Sequence, residues 1–245
     1  MNRFQAAIAS VLIATAGAAV AAGPAQELEQ SGANVHDLAS VQRGAALFSN
    51  YCHSCHSAEF MRYQRLAVDL EIPEEEVERY LIFGDREITD YMKAVMPAES
   101  EQWFGKKPPD LSLTARARGA DWIYNFMKGF YLTPEGWNNT VLTNASMPHV
   151  MWELQGIQRP VMETFEDASG QQQTRVAGLQ LDQPGSMSPD EYDRAVRDLT
   201  AFMVYLAEPA VLKRERIGIW VLLFLVFFTF LSWLLYKEYW RDIKK

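Results

Sequence analysis

Both cysteines of this chain fall in one pentapeptide, Cys52-His53-Ser54-Cys55-His56, so whatever fold surrounds that run must be built to serve it. A C-x-x-C-H run is the signal for covalent haem attachment. Each thiol adds across a vinyl group of the porphyrin, and the adjoining imidazole becomes an axial ligand of the iron. A bare C-x-x-C could instead be a dithiol exchanger, but an exchanger has no need of His56. Structural zinc is the other rival: His36, His53, His56 and His149 are all the histidines, and no H-x₃₋₅-H pair stands downstream to complete a finger. His53, inside the motif, reads as a surface residue. The segment from Ser40 to Phe48 reads as a capped amphipathic helix leading into the site. These residues point to one covalently bound haem c, attached through Cys52 and Cys55, with His56 as a metal ligand.

The two ends bear on where such a protein resides. Residues 1–22 have a basic start at Arg3, an apolar stretch and small residues at Ala19-Val20-Ala21-Ala22. This is the pattern of a cleaved secretory signal, and the stretch is short and alanine-rich for a retained anchor. Export agrees with the motif, because covalent haem attachment takes place outside the bacterial cytoplasm and no spare thiol is left to mispair. At the other end, residues 217–236 are almost unbroken apolar sequence, flanked by Trp220, Trp233, Tyr236, Tyr239 and Trp240 where an aromatic belt would lie. Three basic residues precede this span and four follow it, so charge alone does not orient it. The signal does, placing residues 23–212 on the periplasmic side of a bacterial inner membrane, a single-pass anchor over 213–236 and a short cytoplasmic tail over 237–245.

Charge by segment says more than the formal −8 of the whole chain. Residues 23–212 carry 15 Lys/Arg against 28 Asp/Glu, a balance of −13. Such a surface repels nucleic acid and draws basic partners in a salt-dependent way. The densest acidic run, Glu71 to Glu78, is equally a helix start, since Pro73 and Glu74-Glu75-Glu76 suit a first turn. About 190 residues can bury a core and wrap a haem without disulfides. The periodicity predicts helices over about 40–53, 74–83, 119–129 and 189–207, the last with Ser188 as cap and Pro189 in its first turn. The Gln/Gly/Asp-rich stretch between Glu163 and Gly185 predicts a loop or short hairpin with little apolar core.

The iron's second axial ligand decides whether the haem is a carrier or a reactive centre, because a Met sulfur raises the potential and closes the site. Met127, Met151 and Met203 lie in apolar or helical stretches and read as packing. Met187, in Pro-Gly-Ser-Met-Ser-Pro, and Met147, in Asn-Ala-Ser-Met-Pro, lie in loop sequence that can present a side chain to a metal. Met187 has the better setting, directly before a strong helix, and Met147 is the alternative.

Four blocks together resemble the cytochrome c1 family, the haem subunit of the cytochrome bc1 (quinol–cytochrome c oxidoreductase) complex. They are Arg43-Gly44 leading to Cys52–Ser57, Pro108-Pro109-Asp110-Leu111-Ser112 with Arg116-Ala117-Arg118, Pro184-Gly185-Ser186-Met187-Ser188 with its helix to Pro209, and the terminal anchor. The resemblance implies a mainly α fold: a cytochrome c-type haem domain with long loop insertions, plus one C-terminal transmembrane helix. It further implies Met187 as sixth ligand, Arg118 as partner of a haem propionate, and Pro109, with Pro108, as part of the haem pocket wall. The implied function is electron transfer from a Rieske iron–sulfur protein to a soluble or tethered c-type cytochrome, beside cytochrome b, in a dimeric complex. The segment around Met147 and the compact Arg118-Gly119-Ala120-Asp121-Trp122 run depart from the family pattern, and Trp122 receives no role. Two other readings stand beside this one: a mono-haem subunit of another respiratory complex, such as a terminal oxidase or nitric oxide reductase, and a haem-based sensor with an open sixth site.

Overall fold

The structure is a computed structural model that describes residues 28–97, 99–166 and 170–243. The expected signal over 1–22 lies outside the described residues. In chain order, helix α1 (Leu38–Tyr51) leads to strand β1 (Ala58–Arg62), helices α2 (Tyr63–Asp69) and α3 (Glu74–Tyr80) and strand β2 (Tyr91–Met92). Three short helices follow, α4 (Ser100–Phe104), α5 (Thr114–Arg118) and α6 (Ala120–Lys128), then a hairpin of β3 (Phe130–Thr133) and β4 (Gly136–Asn139). The remainder is α7 (Trp152–Gln155), a long hairpin of β5 (Gly156–Glu166) and β6 (Gln172–Pro184), α8 (Pro189–Ala207) and α9 (Val211–Tyr239). Each sheet among the described residues is a two-stranded antiparallel pair, so the fold is mainly α.

The core is the crossing of α1 and α8. On α1, Val41, Gly44, Ala45 and Phe48 share one buried face, and on α8, Val196, Leu199, Phe202, Met203 and Leu206 do the same. The axes come close because position 44 lacks a side chain: a Cβ there would lie 2.0 Å from the Asp198 carbonyl oxygen and 2.7 Å from Phe202 Cβ. Beside this contact, the Arg43 guanidinium forks onto the Asp198 carboxylate at 2.6 and 3.0 Å. The Ser40 hydroxyl donates to the same carboxylate at 2.6 Å. The cap of α1 is therefore Asp37, which accepts from Ser40 N, rather than Ser40 itself. Ser188 caps α8 in a reciprocal box with Glu191, and Pro189 follows it, as the sequence predicts.

The stretch expected to be a loop or short hairpin is a hairpin, with the little apolar core expected of it, and the correction is its length. β5 and β6 pair from Gly156–Pro184 out to Glu166–Gln172, with irregular register between Ile157 and Gln158 and between Val161 and Met162. The ladder satisfies its own backbone groups, so it needs little apolar core. Its base is tied to the domain by Gln158, whose amide donates to Lys128 O and Phe130 O, both at 2.9 Å. Past Pro209, α9 runs unbroken for 29 residues. Its segment Ile217–Tyr239 is 23 residues long, about 34 Å at 1.5 Å per residue, and is apolar enough to cross a bilayer.

Candidate haem site

α1 delivers the motif. Cys52 is its C-cap, and the N–H groups of Cys52 and His53 both reach Phe48 O at 2.9 Å. Cys55 N and His56 N then donate to Cys52 O at 3.1 and 2.8 Å. One tight turn thus gathers Cys52, Cys55 and His56, with Cys52 buried, Cys55 half-buried and both thiols free.

The His56 ring is held from outside the turn. Its Nδ1 lies 2.7 Å from the Pro109 carbonyl oxygen. A carbonyl only accepts, so Nδ1 carries the proton and Nε2 keeps a lone pair, the tautomer that a metal ligand requires. Burial is the main influence on this imidazole and lowers its pKa against the opposing pull of Pro109 O and Asp110, which favours the neutral ring. Pro109 can offer its carbonyl because the following residues are zipped to the strand after the motif. Leu111 N donates to Ser57 O at 2.8 Å, Asp110 accepts from Glu59 N at 2.9 Å, and Ser112 Oγ accepts from Phe60 N at 3.2 Å. The roles of Asp110 and Ser112 escaped the sequence reading, although their place in the Pro-Pro-Asp-Leu-Ser block was a signal.

The described residues do not favour either rival chemistry. Burial, with Cys55 adding to it, pushes the Cys52 thiol up to about 12, the opposite of the activated thiolate that dithiol exchange needs. Among the described residues no three His, Cys, Asp or Glu side chains cluster as a metal-binding set. Two thiols and one imidazole on a single turn fit covalent haem, and the ring nitrogen left free by Pro109 fits its iron.

Met187 sits at the junction of the long hairpin and α8, half-buried against the core. Its N–H donates to Leu154 O at 3.1 Å, and Ser186 N donates to Glu153 O at 2.9 Å, so the loop is pinned to α7. The pinning needs Gly185, where a Cβ would lie 2.2 Å from Leu154 O. One turn into α8, the buried Tyr192 donates its hydroxyl to Met127 O at 3.0 Å, and its pKa is raised first by burial and then by Cys52. Met147, also half-buried, follows a turn organised by Asn139, which is fully buried and accepts from Val141 N and Leu142 N at 2.8 and 3.2 Å. Met127, Met151 and Met203 are buried in the core.

Arg118 is exposed at the end of α5, with its guanidinium 5.2 Å from the Trp122 ring centroid. Trp122 in turn stacks on Phe126 at 5.0 Å and 8°. Pro109 is exposed and Pro108 half-buried. His53 is a correction: it is 2% exposed rather than a surface residue. Its Nε2 lies 2.7 Å from the Tyr63 hydroxyl and its Nδ1 3.2 Å from His56 O. Polarity made it read as surface, yet Tyr63, eleven residues after Cys52 in a short helix, supplies the partner that makes burial tolerable.

An attachment turn at the end of a core helix, a ring-oriented imidazole and an apolar terminal helix define a mono-haem c-type cytochrome domain carried on a membrane anchor. The profile of the cytochrome C1 family matches residues 29–177 and 182–243. A cytochrome c1 of Allochromatium vinosum is 45% identical over 240 residues, covering 96% of this chain and 98% of that one. A protein of Nitrosomonas europaea named ammonia monooxygenase gamma subunit is 43% identical over 225 residues, covering 90% and 91%. The cytochrome c1 of Rhodospirillum rubrum is 24% identical, covering 95% and 97%. The chain belongs to the cytochrome C1 family. It carries one covalently bound haem c and is the haem-bearing, electron-transferring subunit of a bc1 complex, with cytochrome b and the Rieske protein as fellow subunits.

Proposed function

We propose that Cys52 and Cys55 hold the haem through thioether bonds and that His56 and Met187 are the axial ligands of its iron. The 2.7 Å bond between His56 Nδ1 and the Pro109 carbonyl carries this reading, because it leaves Nε2 as the donor. When bound, the haem supplies a one-electron iron couple, and a His/Met pair sets it at high potential. The chain's own work is positional. Pro109 fixes the plane of the His56 ring and forms part of the pocket wall. The Leu154 carbonyl and the Ser188 cap hold the Met187 backbone at one place, so its thioether would ligate the iron without a large loss of loop entropy. Arg118, whose guanidinium lies over the Trp122 ring, would pair with a haem propionate.

In this reading residues 23–212 form the haem domain on the periplasmic side, after removal of residues 1–22. The chain crosses once over about 217–236, and residues 237–245 face the cytoplasm. The electron acceptor is a soluble or tethered c-type cytochrome, and the complex is a dimer. The test is an absorption spectrum and redox titration of the detergent-solubilised protein, as wild type and Met187→Leu. A low-spin c-type spectrum with a positive potential is expected of the wild type, with a fall of roughly a few hundred millivolts in the variant. An unchanged Met187→Leu potential would move the ligand to Met147 or elsewhere.

A further inference from the structure

We propose that His53 is a positioning residue for the axial imidazole, the middle member of a hydrogen-bond chain from the Tyr63 hydroxyl through its ring to the main-chain carbonyl of His56. This inference rests on the reading of His56 as an iron ligand. The geometry fixes the direction of both bonds. The His56 carbonyl can only accept, so His53 Nδ1, at 3.2 Å, carries the proton. In a neutral ring Nε2 then holds a lone pair, and Tyr63, at 2.7 Å, donates its hydroxyl proton to it. Both side chains are sealed from water, Tyr63 at 0% and His53 at 2% exposed, and the Phe48 ring centroid lies 5.9 Å from that of the imidazole. The half-buried Arg86 guanidinium interacts with the Tyr63 phenol and also acts on the His53 ring, so the chain has a cation at its outer end.

Two consequences follow for the ligand. His56 is held at both extremities, its ring by Pro109 and its main chain by His53, which removes the freedom of the motif's last turn to rotate. The chain's dipoles also all point their positive ends towards His56. In a water-free setting that polarity disfavours the additional positive charge of ferric iron, so the chain raises the reduction potential. A His53 that merely filled space would do neither.

Three variants separate these roles: Tyr63→Phe keeps the ring and removes the donor; His53→Leu removes both bonds; and His53→Asn keeps a donor near the position of Nδ1. The readouts are redox titration and the electron paramagnetic resonance spectrum of the oxidised haem, which reports ligand orientation. In His53→Leu the reduced-to-oxidised ratio at the wild-type midpoint should fall about threefold or more, with a shifted low-spin signal, and in Tyr63→Phe, which keeps the donor to the His56 carbonyl, it should fall by less. His53→Asn should recover more than half of that change. Equal shifts in His53→Leu and His53→Asn, or wild-type values throughout, would overturn the proposal. If His53→Leu does not mature with haem, Tyr63→Phe carries the test on its own, since it preserves the packing. A wild-type protein without a low-spin, histidine-ligated signal would overturn the assignment of His56, and this inference with it.

Discussion

His149 is the other histidine whose place in the chain concealed its setting. It is 1% exposed, stacked on Phe130 at 4.9 Å and 6°, and edged by Trp137 and Tyr192 at 5.4 and 6.5 Å. Neither ring nitrogen makes a hydrogen bond of normal geometry, although Gln155 is close enough to favour the proton slightly. Burial dominates and holds the imidazole down to about 4, against an ordinary 6.5. Above pH 6.5 the ring is neutral in folded and unfolded chains alike, and stability is full. Between 6.5 and about 4 only the unfolded chain takes the proton, so stability falls with pH by up to roughly 3 kcal/mol. Urea unfolding at pH 7.5 and at pH 4.5 should show this loss in the wild type and lack most of it in His149→Phe. The same loss in both proteins would place the effect on other groups. Sequence could not rank the four histidines by burial, since an isolated His carries no period; His56 stood out only through its two cysteines.

Among the elements, the pinned loop before α8 offers the sharpest test of how the fold presents a ligand. Gly185 lets the chain pass against Leu154 and Gly156. In Gly185→Ala the new Cβ must push the loop off α7, breaking the bonds of Ser186 and Met187 to Glu153 and Leu154. The variant should keep its helical circular dichroism and covalent haem yet acquire, at least in part, the spectrum and lowered potential of Met187→Leu. A wild-type potential in Gly185→Ala would mean that the loop does not set the ligand. Elements also differ in how readily sequence reveals them. α8 was readable residue by residue because a 3.6-residue stripe, a capping Ser and a Pro all agree. The extent of the β5–β6 hairpin was not, because its side chains are mostly exposed and what fixes it is pairing with another strand, a register no single segment encodes.

For the molecule as a whole, charge and anchoring are the governing quantities. With −13 on residues 23–212, the head should attract a basic acceptor and repel an acidic one. Reduction of a basic c-type cytochrome by the detergent-solubilised protein should slow roughly tenfold between about 10 and 300 mM salt, as screening shortens the reach of that field. Stopped-flow rates independent of ionic strength would remove electrostatic steering from the account. Ion pairs tie the head to the start of α9: Lys213 lies 3.5 Å from Asp69, which also accepts from Arg65 at 3.0 Å and from the Tyr205 hydroxyl at 3.1 Å, and His36 lies 3.4 Å from Glu215. Charge sums and an apolar run could be counted directly from the chain, but this junction joins residues more than a hundred positions apart.

That contrast runs through the protein. The pentapeptide, the apolar run of 217–236, the acidic balance and the amphipathic period of α8 are local or additive properties, so the amino-acid order alone fixed the haem class, the anchor and the main helices. Which atom of His56 keeps its lone pair, which methionine loop is pinned, and whether His53 and His149 face water depend on carbonyls, rings and hydroxyls supplied by other segments. Pro109 is 53 residues from His56, and Leu154 is 33 from Met187. Only folding brings them within 3.1 Å, because hydrogen bonds and desolvation act over a few ångströms of space rather than along the chain.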